Sequence, residues 1–266
     1  MSTARIARSR AALAAIGAPV VSAVRWLIGL AAMSAAVVAL AVRGSTWRRT
    51  VRDAFTRDVR DALLGSLPAA GVLALLVGLG LVYQTLYWLG DAGQMDLVGQ
   101  VIAAVVVREL APMMVAMILI GRSGSAVLIE LTQMRSGGQL RMLDGMGVDP
   151  FLVYVVPRTI AMAIASFVLS VLFIAATLLA GYLAASLLGV VRIGPAAFAD
   201  IVVNAMGAGD YLLVPVKALM VGFAVGVICC HTALSRPRES SQVVAIGFVR
   251  AALAAIGVSG LLTLAL

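Results

Sequence analysis

Long apolar runs separated by short polar segments dominate the chain. A helix needs about 20 mostly apolar residues to cross a bilayer. The runs that reach this length are 67–89, 98–120, 151–191, 211–234 and 243–266. A shorter run at 26–42 lies at the lower limit for a span. The pattern therefore predicts five membrane-spanning helices, preceded by one shorter apolar helix.

The segment between the short run and the first span has a helical pattern. Apolar side chains recur every four residues from Trp47 to Leu63, and opposite charges lie four residues apart on the other face, as in Arg49 and Asp53. This predicts an amphipathic helix at the membrane surface. Because basic residues favour the cytoplasmic side and flank the run 26–42 at both ends, we expect that run to form an interfacial elbow helix.

The chain accordingly divides into two parts. Residues 1–66 are expected to hold the basic N-terminal segment, the elbow helix and the amphipathic helix, and residues 67–266 the five-span domain. The composition agrees, since 62% of the residues are hydrophobic and 12% are charged, against about 25% charged in soluble proteins. The fold class that we expect is an all-α integral membrane protein.

The net charge of +8 indicates membrane anchoring and not a nucleic-acid partner. The arginines cluster at the ends of apolar runs, without the aromatic residues that would interleave a nucleic-acid-binding patch. They concentrate in segments predicted to be cytoplasmic, including Arg236 and Arg238, whereas the predicted external loops hold only Arg192. Because basic residues mark the cytoplasmic side, this distribution predicts an external C-terminus.

Metal-binding and nucleotide-binding patterns are absent from the sequence. The single histidine, His231, and the adjacent Cys229 and Cys230 lack the spacing of metal ligands. The only lysine, Lys217, follows a valine and not the glycine of a P-loop. We therefore expect a non-catalytic chain that holds no metal and no cofactor of its own.

Two adjacent charges, Arg108 and Glu109, lie deep inside the second predicted span. Charges at such a depth are costly unless they are paired or face a polar cavity. Pro112 has no N–H, so it frees the carbonyl of Arg108 four residues earlier. The pair could line a substrate cavity or lock neighbouring helices together. Lys217 and Arg250 lie nearer the ends of their spans, where we expect them to snorkel to the interface.

A polar segment with helical spacing connects the second and third spans. Gly121, Gly124 and Ser125 form a small-residue pattern that predicts close helix packing. A short helix is predicted at about 137–149, between a Gly-Gly and an Asp-Pro pair. Its apolar face consists of Leu140, Leu143 and Gly147, with Met142 and Met146 beside it. This helix could transmit force from a partner, or it could pack on its own bundle.

These segments resemble a known family. The matching motifs are Arg108-Glu-Leu-Ala-Pro112, Gly121-Arg-x-Gly-Ser-Ala126, Glu130-Leu-x-x-Met134, Met146-Gly-Val-Asp-Pro150 and Val155-Val-Pro-Arg158. They are similar to those of the MlaE/YrbE permeases, the membrane subunits of MCE-type ABC lipid transporters. The resemblance implies an elbow helix, five spans, a second permease copy or paralogue, a cytoplasmic P-loop ATPase that holds ATP and Mg, and a periplasmic MCE-domain protein. It also implies a bacterial inner-membrane location and a phospholipid or related lipid as cargo.

The resemblance further implies roles for particular residues. The substrate-cavity candidates are Arg108, Glu109, Pro112, Tyr83 and Gln84, the last of which matches a family glutamine late in the first span. The segment 138–147 corresponds to the coupling helix that docks on the ATPase, and its candidates are Gln139, Leu140, Arg141, Leu143, Asp144, Met146 and Gly147.

The coupling segment departs from the family at two positions. The family usually has acidic residues where this chain has Gly138 and Arg141. A co-varied ATPase or a heterodimer of two unlike permeases would each fit this departure. A function of a different class is a secondary transporter or channel that uses Arg108 and Glu109 as an intramembrane relay. A membrane scaffold without transport is a third interpretation.

Overall fold

The computed structural model describes residues 2–91, 93, 95–189, 194–207, 209–235 and 240–265, and its regular elements are helices throughout these ranges. The α-helices are α1 (Ser2–Val42), α2 (Arg49–Val77), α3 (Tyr83–Asp91), α4 (Met95–Ile102), α5 (Ala111–Leu119), α6 (Ser125–Ser136), α7 (Gln139–Gly145), α8 (Val156–Leu187), α9 (Pro195–Ala205), α10 (Asp210–Ser235) and α11 (Ser240–Ala265). The predicted all-α class is confirmed.

Short π-helical segments join several of these helices end to end. Three of them lie between two α-helices (Gly78–Val82, Ala103–Leu110 and Ile120–Gly124), and a fourth, Phe151–Val155, leads into α8. The resulting continuous apolar helices cover Arg49–Gly90, Leu97–Ser136 and Phe151–Leu187, with 42, 40 and 37 residues. At about 1.5 Å per residue each is longer than 50 Å, whereas the hydrocarbon core is about 30 Å thick. Each helix therefore extends well beyond one bilayer core.

The helix boundaries differ from the predicted span boundaries. The first long helix begins at Arg49 and passes through Pro68, so the predicted amphipathic helix and first span are one element. The second passes residue 120 and ends at Ser136, so the predicted polar connection begins as helix. Apolar content marks where a helix meets lipid, whereas a helix ends where the backbone is broken. Here the break is Gly138, which has a φ of 73°.

The bundle has two ends, which we name after the elements that they carry. The α7 end also carries the start of α8 and the end of α10, because Arg135 at the end of α6 donates a hydrogen bond to the carbonyl of Leu234. The α9 end carries the short helix α9 and the start of α10. The predicted external C-terminus depends in part on three arginines that lie outside the described residues: Arg192, Arg236 and Arg238.

Helix α1 contacts the bundle near the α7 end. The ring of Trp26 meets the ring of His231 edge-on at 5.7 Å, and the guanidinium of Arg250 lies 4.8 Å from the Trp26 ring centre. His231 is four residues from the end of α10, and α1 then leads into the start of α2 at the same end of the bundle. Residues 21–42 are long and apolar enough to cross a membrane. The contacts at one end favour the interfacial elbow, which stays a prediction.

Helix α8 packs closely between α2 and α10 because glycines remove the intervening side chains. A Cβ on Gly222 of α10 would lie 2.4 Å from the Cβ of Ser166, and one on Gly226 would lie 2.9 Å from the Cα of Thr159. On the α2 side, a Cβ on Gly78 would lie 2.4 Å from the carbonyl oxygen of Thr177. Small residues bring helices together where lipid provides no hydrophobic drive. The centre of the bundle is therefore closely packed.

Candidate functional site

Lys217 of α10 is completely buried and fully hydrogen-bonded. Its Nζ donates to Oε1 of Glu109 at 2.7 Å, to the carbonyl oxygen of Arg108 at 2.8 Å and to Oγ1 of Thr263 at 2.8 Å. A lysine ammonium carries three hydrogens, so each has an acceptor. We name Arg108, Glu109, Asp210, Lys217, Ser259 and Thr263 the charge cluster.

The backbone around Pro112 explains one of these hydrogen bonds. Pro112 lacks the N–H that would bond to the carbonyl of Arg108 in a regular helix. The segment Ala103–Leu110 just before it is π-helical, a form that often occurs at functional sites. Lys217 donates to the freed carbonyl, so the proline in one helix creates an acceptor for a charge on another.

Glu109 is held from α11 as well as from α10. Its Oε1 lies 2.6 Å from Oγ1 of Thr263, and Oγ of Ser259 donates to its Oε2 at 3.3 Å. Ser259 and Thr263 are one turn apart and therefore share a face of α11. The side chain of Glu109 is still 42% exposed. The carboxylate thus joins two helices while part of it faces outward.

Arg108 pairs with Asp210 at the start of α10. The two charged groups are 2.5 Å apart, and the backbone N–H of Gly207 also donates to Asp210 at 2.8 Å. Asp210 and Lys217 are seven residues apart, which places them on one face of α10 about two turns apart. The adjacent charges Arg108 and Glu109 therefore each meet an opposite charge on the same helix, and these four charges balance.

This arrangement fixes three helices and leaves two charges partly accessible. The side chain of Arg108 is 38% exposed, whereas that of Asp210 is 5% exposed. Neutralising Glu109 would leave the buried charge of Lys217 uncompensated, which is costly. The pairing therefore favours fixed charges over an ion relay and supports the predicted role of the pair in locking neighbouring helices together, whereas its role in lining a substrate cavity stays a prediction.

Of the other predicted cavity residues, Pro112 acts on the charge cluster through the backbone, whereas, within the described residues, Tyr83 and Gln84 are not hydrogen-bonded to it. Tyr83 is half-buried and packs against an apolar cluster that includes Val82 and Leu86. Gln84 is exposed. Among the hydrogen bonds of the described residues, none joins Tyr83 or Gln84 to the charge cluster. Pro112 is buried and contributes through the backbone alone.

Of the three residues predicted to pack helices together, one makes a close contact within this chain. A Cβ on Gly124 would lie 3.1 Å from Sγ of Cys229 on α10. A Cβ on Gly121 would meet nothing within 4 Å. Ser125 is half-buried and donates to the carbonyl of Gly121 in its own helix, at 2.6 Å. Close approach within one chain therefore occurs at Gly124 and not at Gly121 or Ser125.

A helix is present in the predicted coupling segment, but α7 is shorter than the predicted 137–149 and ends before Met146 and Gly147; none of its residues is buried. Met142 is 67% exposed and Met146 is 59% exposed. Leu140 and Leu143 are half-buried, and the remaining candidates are exposed: Gln139, Arg141, Asp144 and Gly147. A loop helix packed on its own bundle would bury its apolar face, so the exposure favours an external partner.

Sequence reasoning missed part of the charge cluster. Lys217 was expected to snorkel to the interface, but it is buried and points at Glu109, so that interpretation was wrong. Asp210 lies just before the predicted span 211–234, and Ser259 and Thr263 are uncharged residues within an apolar run, so none of the three was predicted as a site residue. A charge balance could have found Asp210 and Lys217, since an intramembrane Arg-Glu pair needs opposite charges and these two residues share a helix face. Within the described residues, no group of His, Cys, Asp or Glu side chains could hold a metal ion.

Comparison with known proteins identifies the family. The model of the family Permease MlaE matches residues 55–265. The intermembrane phospholipid transport system permease protein MlaE of Haemophilus influenzae is 39% identical over 101 residues, which cover 38% of this chain and 39% of that protein. A probable ABC transporter permease protein of Synechocystis sp. is 27% identical over 194 residues, covering 73% of this chain and 72% of the relative. A probable ABC transporter permease protein of Rickettsia prowazekii is 24% identical over 169 residues, covering 63% and 64%. Since the family match runs from α2 to the end of α11 and includes both the charge cluster and α7, the chain belongs to the MlaE family of ABC transporter permeases.

Proposed function

We propose that this chain is the non-catalytic membrane subunit of an ATP-driven transporter that moves phospholipid or a related lipid between the inner membrane and the outer envelope. The observation that carries the proposal is the continuous helix Leu97–Ser136, which joins the charge cluster to α7. Glu109 and Ser136 are roughly 40 Å apart along it at about 1.5 Å per residue. A partner that displaces α7 would therefore move the helix that holds Arg108 and Glu109.

The partner at α7 is a cytoplasmic P-loop ATPase, which holds ATP and Mg. Membership of an ABC permease family implies such a subunit. Exposed methionines suit a docking surface because their flexible, polarisable side chains adapt to a partner. Arg141 is exposed beside them, so the matching surface of the ATPase carries an acidic residue.

The cargo passes a wall that carries the charge cluster. Arg108 and Glu109 are partly exposed and carry opposite charges, as does the headgroup of a zwitterionic phospholipid. Two copies, or one copy and a paralogue, enclose the cavity with α3, the helix Leu97–Ser136 and α11, which brings Tyr83 and Gln84 to its lining. The name of the Haemophilus relative, which refers to intermembrane phospholipid transport, supports this cargo class.

The two ends of the bundle face different compartments in this proposal. The α7 end faces the cytoplasm, and the α9 end and the C-terminus face the periplasm, where an MCE-domain protein receives or delivers the lipid. The exposed arginines of α2, such as Arg52 and Arg57, favour this orientation because basic residues concentrate on the cytoplasmic side.

The test is reconstitution with the ATPase that co-purifies with the chain. Vesicles that contain the assembled complex and fluorescent phosphatidylethanolamine should lose lipid to the MCE-domain partner only when ATP is hydrolysed, and a non-hydrolysable ATP analogue serves as the control. Transport by this chain alone, driven by a pH gradient, would overturn the proposal in favour of a secondary transporter. Unchanged lipid traffic in Arg108→Ala and Glu109→Ala would instead favour a membrane scaffold.

A further inference from the structure

A groove of about 540 Å³ lies between α2, α6 and α8, toward the α7 end and away from the charge cluster. Its lining includes three arginines and three acidic residues, which are Arg57, Arg122, Arg158, Asp58, Asp61 and Glu130. The charges balance, and the proposed transport mechanism uses none of them. So many ionisable groups in one groove of a membrane protein point to a polar ligand.

Arg158 of α8 is the most buried of these groups, with 9% of its surface exposed. Its Nη2 donates to Oε2 of Glu130 at 2.5 Å, and its Nε lies 3.8 Å from Oδ1 of Asp58. Its Nη1 is buried and has no hydrogen-bond acceptor among the described residues. A buried donor without an acceptor is costly and requires an explanation. An anionic oxygen in the groove would supply the missing acceptor.

Arg122 approaches the groove from the π-helical segment Ile120–Gly124, just before α6. A Cβ on Gly65 of α2 would lie 3.0 Å from the Nε of Arg122, so the guanidinium runs along α2 where glycine leaves room for it. Arg122 and Arg57 are both exposed. The groove therefore combines one buried guanidinium with two that can move to meet a ligand.

The position of the groove along α2 indicates a ligand at the membrane surface. The charged part of α2 ends at Asp61, and apolar residues follow, including Leu64 at 57% exposure and Leu67 at 43%. Asp61 and Leu64 both line the groove. A lipid bound here would have its headgroup among the charges while its acyl chains follow the exposed leucines.

We propose that this groove binds the headgroup of a zwitterionic phospholipid, with the phosphate on Arg122 and Arg158 and the ammonium on Asp61 and Glu130. A purely anionic headgroup would satisfy the arginines but would face these carboxylates without a cation. Guanidinium groups suit phosphate because their paired N–H donors match its oxygens. The binding does not depend on transport, so it can be tested on the chain alone.

The experiment measures which lipid stays on the protein. The purified full chain is placed in nanodiscs that contain mostly phosphatidylglycerol and a minority of phosphatidylethanolamine, and the retained lipid is identified by native mass spectrometry. We expect phosphatidylethanolamine to be enriched on the wild type. Arg122→Gln and Asp61→Asn should each lower the enrichment by about tenfold, the factor for losing one hydrogen bond to a charged group. Arg60→Gln is the matched control, since Arg60 is exposed on α2 and lies outside the groove lining.

Three results would overturn the proposal. One is equal retention of both lipids by the wild type, and another is an equal loss in Arg60→Gln and Arg122→Gln. The third is displacement of the retained lipid by inorganic phosphate, because that would identify a simple anion site. Arg122 and Asp61 are exposed, so their variants should fold, and an unchanged melting temperature checks this. ATP-driven transport that fails while lipid retention persists would contradict the proposed function and not this site.

Discussion

Nζ of Lys217 lies 2.7 Å from Oε1 of Glu109, and the two partners are buried to very different extents. The lysine side chain has no exposed surface, whereas that of Glu109 is 42% exposed. The same ammonium also bonds to the Arg108 carbonyl that Pro112 frees. One side chain of α10 therefore pairs with the Glu109 carboxylate and also donates a hydrogen bond to the free carbonyl of Arg108.

This asymmetry predicts that removing Glu109 and removing Lys217 lower the free energy of unfolding by different amounts. Breaking a buried ion pair costs about 3–5 kcal/mol when a charge is left uncompensated. Glu109→Gln leaves the charge of the fully buried Lys217, so we expect a cost in this range. Lys217→Met leaves the charge of the half-exposed Glu109, which water can reach, so its cost should be smaller. Thermal unfolding in micelles, followed by tryptophan fluorescence, measures both.

The double variant Glu109→Gln/Lys217→Met supplies the control. With both charges gone, the protein should be more stable than the sum of the single effects predicts, because coupled residues are not additive. If the two effects add to within about 0.5 kcal/mol, the groups do not interact and the pair is not a unit.

The pair Arg108–Asp210 leads to a second prediction, made by exchanging the charges. Arg108→Asp should lower the melting temperature because it removes the ion pair with Asp210 and faces that buried carboxylate with a like charge. Adding Asp210→Arg restores opposite charges and should recover part of the loss. The recovery should be incomplete, because Asp210 also accepts a hydrogen bond from the N–H of Gly207 that an arginine cannot accept.

Asp210→Asn is the complementary variant. It keeps an oxygen for Gly207 but removes the charge that Arg108 needs. A loss of stability in Asp210→Asn as large as in Arg108→Asp is not expected, since Arg108 is 38% exposed and can be hydrated. If Asp210→Asn were the more damaging change, Asp210 would have a partner other than Arg108.

The sequence allowed the helices to be predicted far better than their pairing. Apolar runs are long and few charges interrupt them, so the membrane helices are evident. The freed carbonyl of Arg108 also followed from Pro112 alone. The donor that reaches it depends on the register of α10 against the neighbouring helix, and no local pattern encodes that register. For this reason Lys217 was assigned to the interface although it is buried.

Helix ends were predictable only where glycine breaks the backbone. Gly138, with a φ of 73°, separates α6 from α7 as the Gly-Gly pair indicated. The changes of polarity near residues 67 and 120 do not end helices, because a polar side chain on a helix surface costs the backbone nothing. The π-helical segments were not foreseen, because an apolar run predicts a helix without distinguishing the α-helical from the π-helical hydrogen-bond pattern.

Close packing of α2 on α8 predicts opposite effects for two neighbouring glycines. Gly78→Ala would place a Cβ 2.4 Å from the carbonyl oxygen of Thr177, so we expect a loss of about 1–3 kcal/mol from overpacking. A Cβ on Gly80 would meet nothing within 4 Å, so Gly80→Ala should be neutral or slightly stabilising because alanine favours helix. The melting temperatures of the Gly78→Ala and Gly80→Ala variants, measured in micelles, test this difference. Equal losses would show that the α2–α8 contact differs from the one described.

The exposed helix α7 leads to the last prediction, which concerns the ATPase. Arg141 lies on this helix where the family usually has an acidic residue, so its own ATPase should present a negative charge there. Arg141→Asp would place like charges together and should weaken complex formation by about tenfold or more, a factor that corresponds to about 1.4 kcal/mol. Co-purification and permease-stimulated ATP hydrolysis measure complex formation. Rising salt should reduce the difference between the wild type and Arg141→Asp, because exposed charges are screened. Arg52→Asp, the same exposed charge reversal made on α2 and not on α7, is the matched control. Tighter binding by Arg141→Asp would mean that the ATPase has kept the surface that suits an acidic coupling helix.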